Sequence, residues 1–229
     1  MLNKLKKEIE FLTDPNRGTS ESKYSKTGPG DYAEGQIFLG IKTSVKRDIA
    51  KKYSCISLDE IDKLIEENIH ANRFIALVIL TNKYKKDKQS VVDFYLKNSK
   101  KWNNWGLVDV SADKILGDYL LDKERDILYG LARSDNLWEK RIAIVSTYAF
   151  IRQNKFEDTL AISEILLGDS HDLIHKAVGW MLREVGKKDE KVLEEFLKKN
   201  YADIPRTTLR YAIERFEEGK RKRFLKGEI

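Results

Sequence analysis

Apolar residues recur every three to four positions along most of the chain, which is the spacing of one face of an α-helix. This pattern predicts amphipathic helices over residues 58–67, 73–84, 91–97, 138–152, 156–167, 173–185 and 192–199. No proline occurs between Thr43 and Asn200, so nothing in that span forces a helix to break. Short polar clusters separate the stretches, and several carry Ser, Asp or Asn, which favour helix N-caps. The chain is therefore predicted to be all-α.

Residues 14–36 lack this periodicity, because Gly, Pro, Ser and Thr dominate the segment. We predict a loop there, following a short N-terminal helix. Its Gly28-Pro29-Gly30 turn fits two interpretations, a lid or anion-contacting turn and a plain connector, of which the connector is the commoner.

The helical stretches also show an internal repeat. The segments 73–77 and 141–145 are alike and lie 68 residues apart, and half of that interval, 34 residues, accommodates two helices with their turns. This spacing is typical of HEAT-like repeats, which stack helix pairs against their neighbours. We therefore predict one domain over residues 1–229, an α-α superhelical solenoid whose concave groove suits an extended partner such as a duplex.

Composition narrows the class of protein. Charged residues make up 35% of the chain and apolar ones 41%, which excludes both a disordered chain and a membrane protein. No secretory signal is visible at the start, so we expect a cytoplasmic protein without membrane contact. We also expect the protein to be a monomer. The single cysteine, Cys55, excludes an internal disulfide. A net charge of +6 favours an anionic partner weakly, and the lysine-rich runs at 83–88 and 220–223 fit either phosphate contacts or solvated helix faces.

One pair of residues points to chemistry. Trp105 and Asp109 are four residues apart and share a face if the segment is helical. An indole face and a carboxylate both attract positive charge, so the pair suits an electron-poor ligand. The alternative is a core Trp beside a helix-capping Asp. The 34-residue interval places Trp180 on the same face of an equivalent helix, whereas Arg141 points elsewhere unless the repeat length varies.

Other candidate sites are weaker. His171 and His175 are spaced for a shared metal, but the sequence supplies neither a nearby Glu nor cysteine ligands, so no metal site is expected. No phosphate-binding loop or nucleophile elbow is present, and no cofactor is expected. Trp102 and Trp138 are interpreted as packing residues.

Five stretches resemble the DNA alkylation repair family typified by HEAT-like bacterial glycosylases: residues 26–32, 38–43, 105–109, 134–141 and 176–184. The resemblance implies hydrolysis of the N-glycosidic bond of N3- or N7-alkylated purines in double-stranded DNA, with the base left stacked. It assigns the catalytic carboxylate to Asp109, aromatic walls to Trp105 and Trp180, and a DNA-backbone contact to Arg141.

A single carboxylate is chemically sufficient for that reaction. Glycosidases that act on neutral substrates use two carboxylates, one of which protonates the leaving group. An N3- or N7-alkylated purine is already cationic and leaves as a neutral base. The alternative function is a non-catalytic HEAT-like scaffold that binds DNA or protein, although an acidic residue in a DNA-facing groove opposes polyanion binding.

Overall fold

The computed structural model describes residues 1–229 and contains helices and turns but no strand. A single parallel bridge joins Ile37 to Ile69. The chain divides into two compact units, Met1–Ser111 and Ala112–Ile229, and each is described by itself. None of the helices is both long and apolar enough to cross a bilayer. The all-α fold predicted from the periodicity is confirmed.

The first unit is organised around one central helix. Its helices are α1 (Leu2–Phe11), α2 (Pro15–Tyr24), α3 (Thr43–Lys52), α4 (Leu58–Ile65), α5 (His70–Tyr84), α6 (Lys88–Lys97), a 3-10 turn (Ser99–Lys101) and α7 (Trp105–Val108). Helix α5 packs against α3, α4, α6 and α7. Its side chains at Ile75, Leu77 and Leu80 are fully buried, so α5 forms the core of this unit.

The second unit has the same kind of organisation. It comprises a π-helix (Asp113–Gly117), α8 (Asp126–Ala132), α9 (Leu137–Ser146), α10 (Tyr148–Arg152), α11 (Glu157–Leu166), α12 (Asp172–Gly186), α13 (Glu190–Lys199), α14 (Arg206–Ala212), a 3-10 turn (Ile213–Arg215) and α15 (Glu218–Lys226). Helix α12 is central and packs against α9, α11, α13 and α14.

Each predicted helical stretch contains a helix, but residues 138–152 form two. Helices α9 and α10 are separated at Thr147. The Thr147 hydroxyl donates to the carbonyl oxygen of Ile144 at 2.7 Å, and its backbone N–H donates to the same oxygen. A side chain that bonds the preceding turn competes with the regular helical ladder, which explains the interruption.

The prediction of a loop over residues 14–36 is wrong for the first part of that segment, because Pro15–Tyr24 is helix α2. The Asp14 carboxylate accepts from the backbone N–H of Arg17 at 3.1 Å, and proline follows at the first helical position. Both features start a helix without an apolar period. A Cβ at Gly18 would lie 2.4 Å from the Phe38 carbonyl oxygen, so this helix packs against its neighbour through glycine. Residues 25–36 are turns and irregular chain.

The interval of 68 residues has a structural counterpart in two buried arginines. Arg73 donates through Nη1 to the Asn103 side-chain oxygen at 2.6 Å, and Arg141 donates through Nη1 to the Leu173 carbonyl oxygen at 2.6 Å. The acceptors lie 30 and 32 residues further on, next to the starts of α7 and α12. Each arginine therefore links its own helix to the start of a later one, although one acceptor is a side chain and the other a backbone carbonyl. One domain over residues 1–229 and a concave groove stay predictions.

Candidate active site

Trp105 and Asp109 occupy one helical turn, as the sequence predicts. Asn104 is buried and caps α7, because its side-chain oxygen accepts from the Gly106 N–H at 2.9 Å. The backbone N–H of Asp109 then donates to the Trp105 carbonyl oxygen at 2.9 Å. Residues joined by such a bond share a helix face. Asp109 ends this short helix with helical backbone angles and is half-buried.

The turn before α7 is held by a buried glutamine from the N-terminal segment. Gln36 donates through Nε2 to the Asn103 carbonyl oxygen at 2.5 Å, and its side-chain oxygen accepts from Asn104 Nδ2 at 3.3 Å. Arg73 contacts the Asn103 side chain from the other direction. Buried amides with both ends bonded are held in one orientation. The two asparagines that precede Trp105 therefore fix where α7 begins.

Trp105 is only half-buried, which excludes the interpretation as a core residue. Its Nε1 donates to the Tyr32 hydroxyl at 3.1 Å, and the Tyr24 ring stands edge-on to it with centroids 6.2 Å apart. Tyr24 is 74% exposed, so this aromatic group faces solvent. Sequence reasoning missed both tyrosines. The signal available was two aromatic residues in a segment otherwise rich in Gly, Ser and charge.

The other two tryptophans are packing residues, as predicted. Trp102 is fully buried, stacks on Tyr95 at 5.7 Å between centroids and donates through Nε1 to the Tyr95 carbonyl oxygen. Trp138 is 5% exposed at the start of α9.

In the second unit, Trp180 lies on α12 and is half-buried. Its ring lies 6.1 Å from that of Tyr148, tilted by 44°. The Arg152 guanidinium lies 4.8 Å from the centre of the Tyr148 ring. Close packing of α12 against α14 depends on Gly179, since a Cβ there would lie 2.7 Å from the Thr208 carbonyl oxygen. Each predicted aromatic wall thus has tyrosine beside it.

Arg141 is 5% exposed, and its bond to the Leu173 carbonyl connects α9 to α12. This places the side chain mostly inside the second unit. A structural role is therefore evident, whereas its contact with the DNA backbone stays a prediction.

The two neighbouring histidines bond the backbone. His171 accepts through Nδ1 from the Leu173 N–H at 3.1 Å, and His175 Nε2 lies 2.5 Å from the Asp169 carbonyl oxygen. No group of three or more His, Cys, Asp or Glu side chains is placed to hold a metal ion.

A neutral imidazole lies behind α7. His70 stacks on Phe38 with centroids 4.7 Å apart, and a Cβ at Gly106 would lie 3.9 Å from His70 Nε2. Burial, assisted by the positive charges of Lys46 and Arg73, lowers the pKa of His70 to about 3. His70 therefore adds no charge beside the Trp105 turn at neutral pH.

Residues 5–216 match the family model described as DNA alkylation repair enzyme. The chain belongs to this family. Among solved structures it is similar to a "Predicted DNA alkylation repair enzyme from Enterococcus faecalis", with a TM-score of 0.71 and 16% sequence identity. That match covers 90% of this chain and 98% of the other, and it shows a shared fold. No curated protein matches the chain. The family predicted from the five sequence stretches is confirmed.

Proposed function

We propose that this member of the DNA alkylation repair family is a DNA glycosylase. Its substrate would be duplex DNA that carries a cationic N3- or N7-alkylated purine, and its reaction hydrolysis of the N-glycosidic bond. The observation that carries the proposal is the single helical turn that joins the half-exposed Trp105 indole to the Asp109 carboxylate. The prediction of a cytoplasmic monomer is part of the same proposal.

In the proposed reaction, the bond between C1′ of the deoxyribose and the purine nitrogen breaks first. Its electron pair neutralises the positively charged base, which leaves without needing a proton from the protein. Positive charge develops on the sugar, and Asp109 stabilises it at close range. Water then adds to C1′ and gives up a proton to the carboxylate or to solvent. No cofactor takes part.

The indole of Trp105 adds a second attraction to the same charge. An aromatic face beside a cation contributes about 0.5 to 2 kcal/mol, and more when water is excluded. The hydrogen bond to Tyr32 and the edge contact with Tyr24 support this by fixing the plane of the ring. A second aromatic contact from Trp180 and a DNA-backbone contact from Arg141 are proposed from the family resemblance.

We propose further that the base stays in the stack. Enzymes that flip a base spend a few kcal/mol on unstacking and bind it in a close-fitting pocket. The N-glycosidic bond of a cationic purine is already labile. The enzyme would therefore select the lesion by the weakness of this bond and not by the shape of the base. Phosphates would be held by Lys and Arg, which fix register without reading sequence.

The test is release of 7-methylguanine from methylated duplex DNA by the wild type and by Asp109→Asn. The variant should lose excision while binding DNA as well or better, because it removes stabilisation of the transition state and also a negative charge. Asp93→Asn is the matched control, since Asp93 is exposed on α6 and only accepts a bond from Gln89. Excision by Asp109→Asn at the wild-type rate would remove this carboxylate from the mechanism.

A non-catalytic scaffold gives a different result in the same assay. It would bind duplex DNA or a protein with no release of methylated bases by the wild type. Binding that is insensitive to salt, or tighter to a protein than to DNA, would also favour the scaffold.

A further inference from the structure

A cavity of about 770 Å³ lies next to Gln36, and a smaller one lies beside α14. A third concave surface, between α3 and α5, is strongly positively charged. It has a volume of about 630 Å³, and four cationic side chains line it. We call it the basic groove: Arg47, Lys51, Lys83 and Lys86. Its remaining lining is short and uncharged, and no Asp or Glu side chain contributes.

The four cations of the basic groove lack anionic partners within the protein. None of them forms an ion pair, in contrast to Lys52, which pairs with Glu8 at 2.6 Å, and Lys101, which pairs with Glu66 at 2.5 Å. Four like charges around one concavity raise the local potential and attract anions. The groove is therefore a surface whose charge is complementary to something outside the chain.

A fifth cation, Lys46, directly precedes Arg47 on α3. Lys46 Nζ lies 4.9 Å and the Arg47 guanidinium 5.6 Å from the centre of the Phe74 ring. Lys46 is 5% exposed and has no hydrogen bond or ion pair. Burial lowers the pKa of its ammonium group. Lys46 therefore adds positive charge next to Arg47, and the charge of Glu21 offsets part of it.

We infer that the basic groove binds the phosphate backbone of duplex DNA, away from the lesion. Arg47 and Lys51 lie on successive turns of α3. Lys83 lies in the last turn of α5 and Lys86 in the turn that follows this helix, so the charges form two short rows. Two rows suit an extended anion with regularly spaced charges better than a single phosphate. This inference rests on the proposed DNA substrate and adds a contact site to it.

The groove lies far enough from Trp105 to extend the binding footprint. His70 lies behind α7 at the start of α5, whereas Asn82 lines the groove twelve residues later. At 1.5 Å per residue, the groove is about 18 Å further along that helix. This is roughly half of the 34–36 Å turn of a duplex. Phosphates about half a turn from the lesion would be the ones bound.

The first experiment changes the four groove cations to Gln together. The matched control changes Lys4, Lys7, Lys63 and Lys97 to Gln, which are exposed, form no ion pairs and lie outside the groove in the same unit. Each lost phosphate contact lowers the slope of log affinity against log salt by about 0.9, so loss of all four contacts should lower the slope of the groove variant by about 3.6 on an undamaged long duplex. On a duplex too short to reach the groove, the two variants should bind alike.

The second experiment uses Cys55, the only cysteine, which is exposed and lines the groove. Duplex DNA should slow alkylation of its thiol by iodoacetamide severalfold in the wild type and not in the groove variant. DNA binding without protection of Cys55, or equal salt slopes for groove and control variants, would overturn the inference. So would stronger protection by an acidic peptide than by DNA. If the salt slope and protection behave as expected while no base is released, only the proposed glycosylase activity fails.

Discussion

The indole Nε1 of Trp105 donates a hydrogen bond to the Tyr32 hydroxyl at 3.1 Å, although 73 residues separate them in the sequence. Gln36, only four residues after Tyr32, holds the turn in which α7 begins. The irregular segment 25–36 therefore positions both the start of the candidate catalytic helix and the plane of its tryptophan. A segment that looks like a connector in the sequence supports the site.

Tyr32→Phe should reduce excision with little change in fold stability. The substitution removes the hydroxyl that accepts from the Trp105 N–H, and a single hydrogen bond contributes about 0.5 to 1.5 kcal/mol. If all of this free energy is added to the activation barrier of base excision, the single-turnover rate falls about two- to tenfold. The matched control is Tyr24→Phe, which removes the other tyrosine hydroxyl but keeps its ring edge against Trp105. Equal rates for the two variants would show that the hydrogen bond does not orient the indole.

Asn104→Ala should lower both stability and excision. Loss of an N-cap costs about 1 kcal/mol, and here it also leaves the buried Gln36 amide without its second partner. Asp189→Ala serves as the control, because Asp189 caps α13 of the second unit with bonds from Lys191 and Val192. Both variants should unfold at lower urea concentration, while only Asn104→Ala should slow base release. Equal excision by both would mean that the α7 cap has no role in activity.

The parts of the site that sequence predicted are those set by local geometry. Helical periodicity placed the helices, and an interval of four residues placed Asp109 one turn from Trp105. Trp102 and Trp138 were correctly separated from them as packing residues. These relationships depend on residues close in the chain, for which the α-helix offers few alternatives.

The missed parts depend on contacts between distant segments. Tyr32 and Gln36 reach their partners across about 70 residues, and no period links them. The burial of Arg141 was also not evident, because an arginine on a helix is usually solvated. Likewise, the sequence left the run 83–88 open between phosphate contacts and a solvated face, and only the packing of α3 places Arg47 on the same surface as Lys83 and Lys86. Only the packing of the helices shows which residues from distant segments lie on the same surface.

Acid should destabilise the protein through His70. The pKa of this imidazole is about 3 in the folded state, against an ordinary value of 6.5, so the unfolded chain binds the proton more readily. The contribution is constant above pH 6.5 and is lost progressively as the pH falls from 6.5 towards 3. At pH 5 the loss should be at most about 2 kcal/mol.

Urea unfolding of the wild type and of His70→Phe at pH 7 and pH 5 measures this effect. Phenylalanine retains the stacking on Phe38 but does not titrate, so the variant should lose much less stability between the two pH values. His171→Asn is the control, because asparagine preserves the cap of α12. If His70→Phe shows the full wild-type loss at pH 5, other groups cause the acid sensitivity.

Lesion choice follows from the presence of one candidate carboxylate and no evident general acid. If the base leaves without a proton from the protein, only bases that already carry a formal positive charge, such as 7-methylguanine and 3-methyladenine, should be good substrates. Uracil, which is neutral, should be released very slowly from the same duplex. If the lesion also stays stacked, a bulky cationic N7 adduct should be excised nearly as well as a methyl one, since no pocket limits its size. Single-turnover excision of the three substrates checks both points: efficient removal of uracil would require a proton donor absent from the proposed mechanism, and complete rejection of the bulky cation would require a pocket that encloses the base.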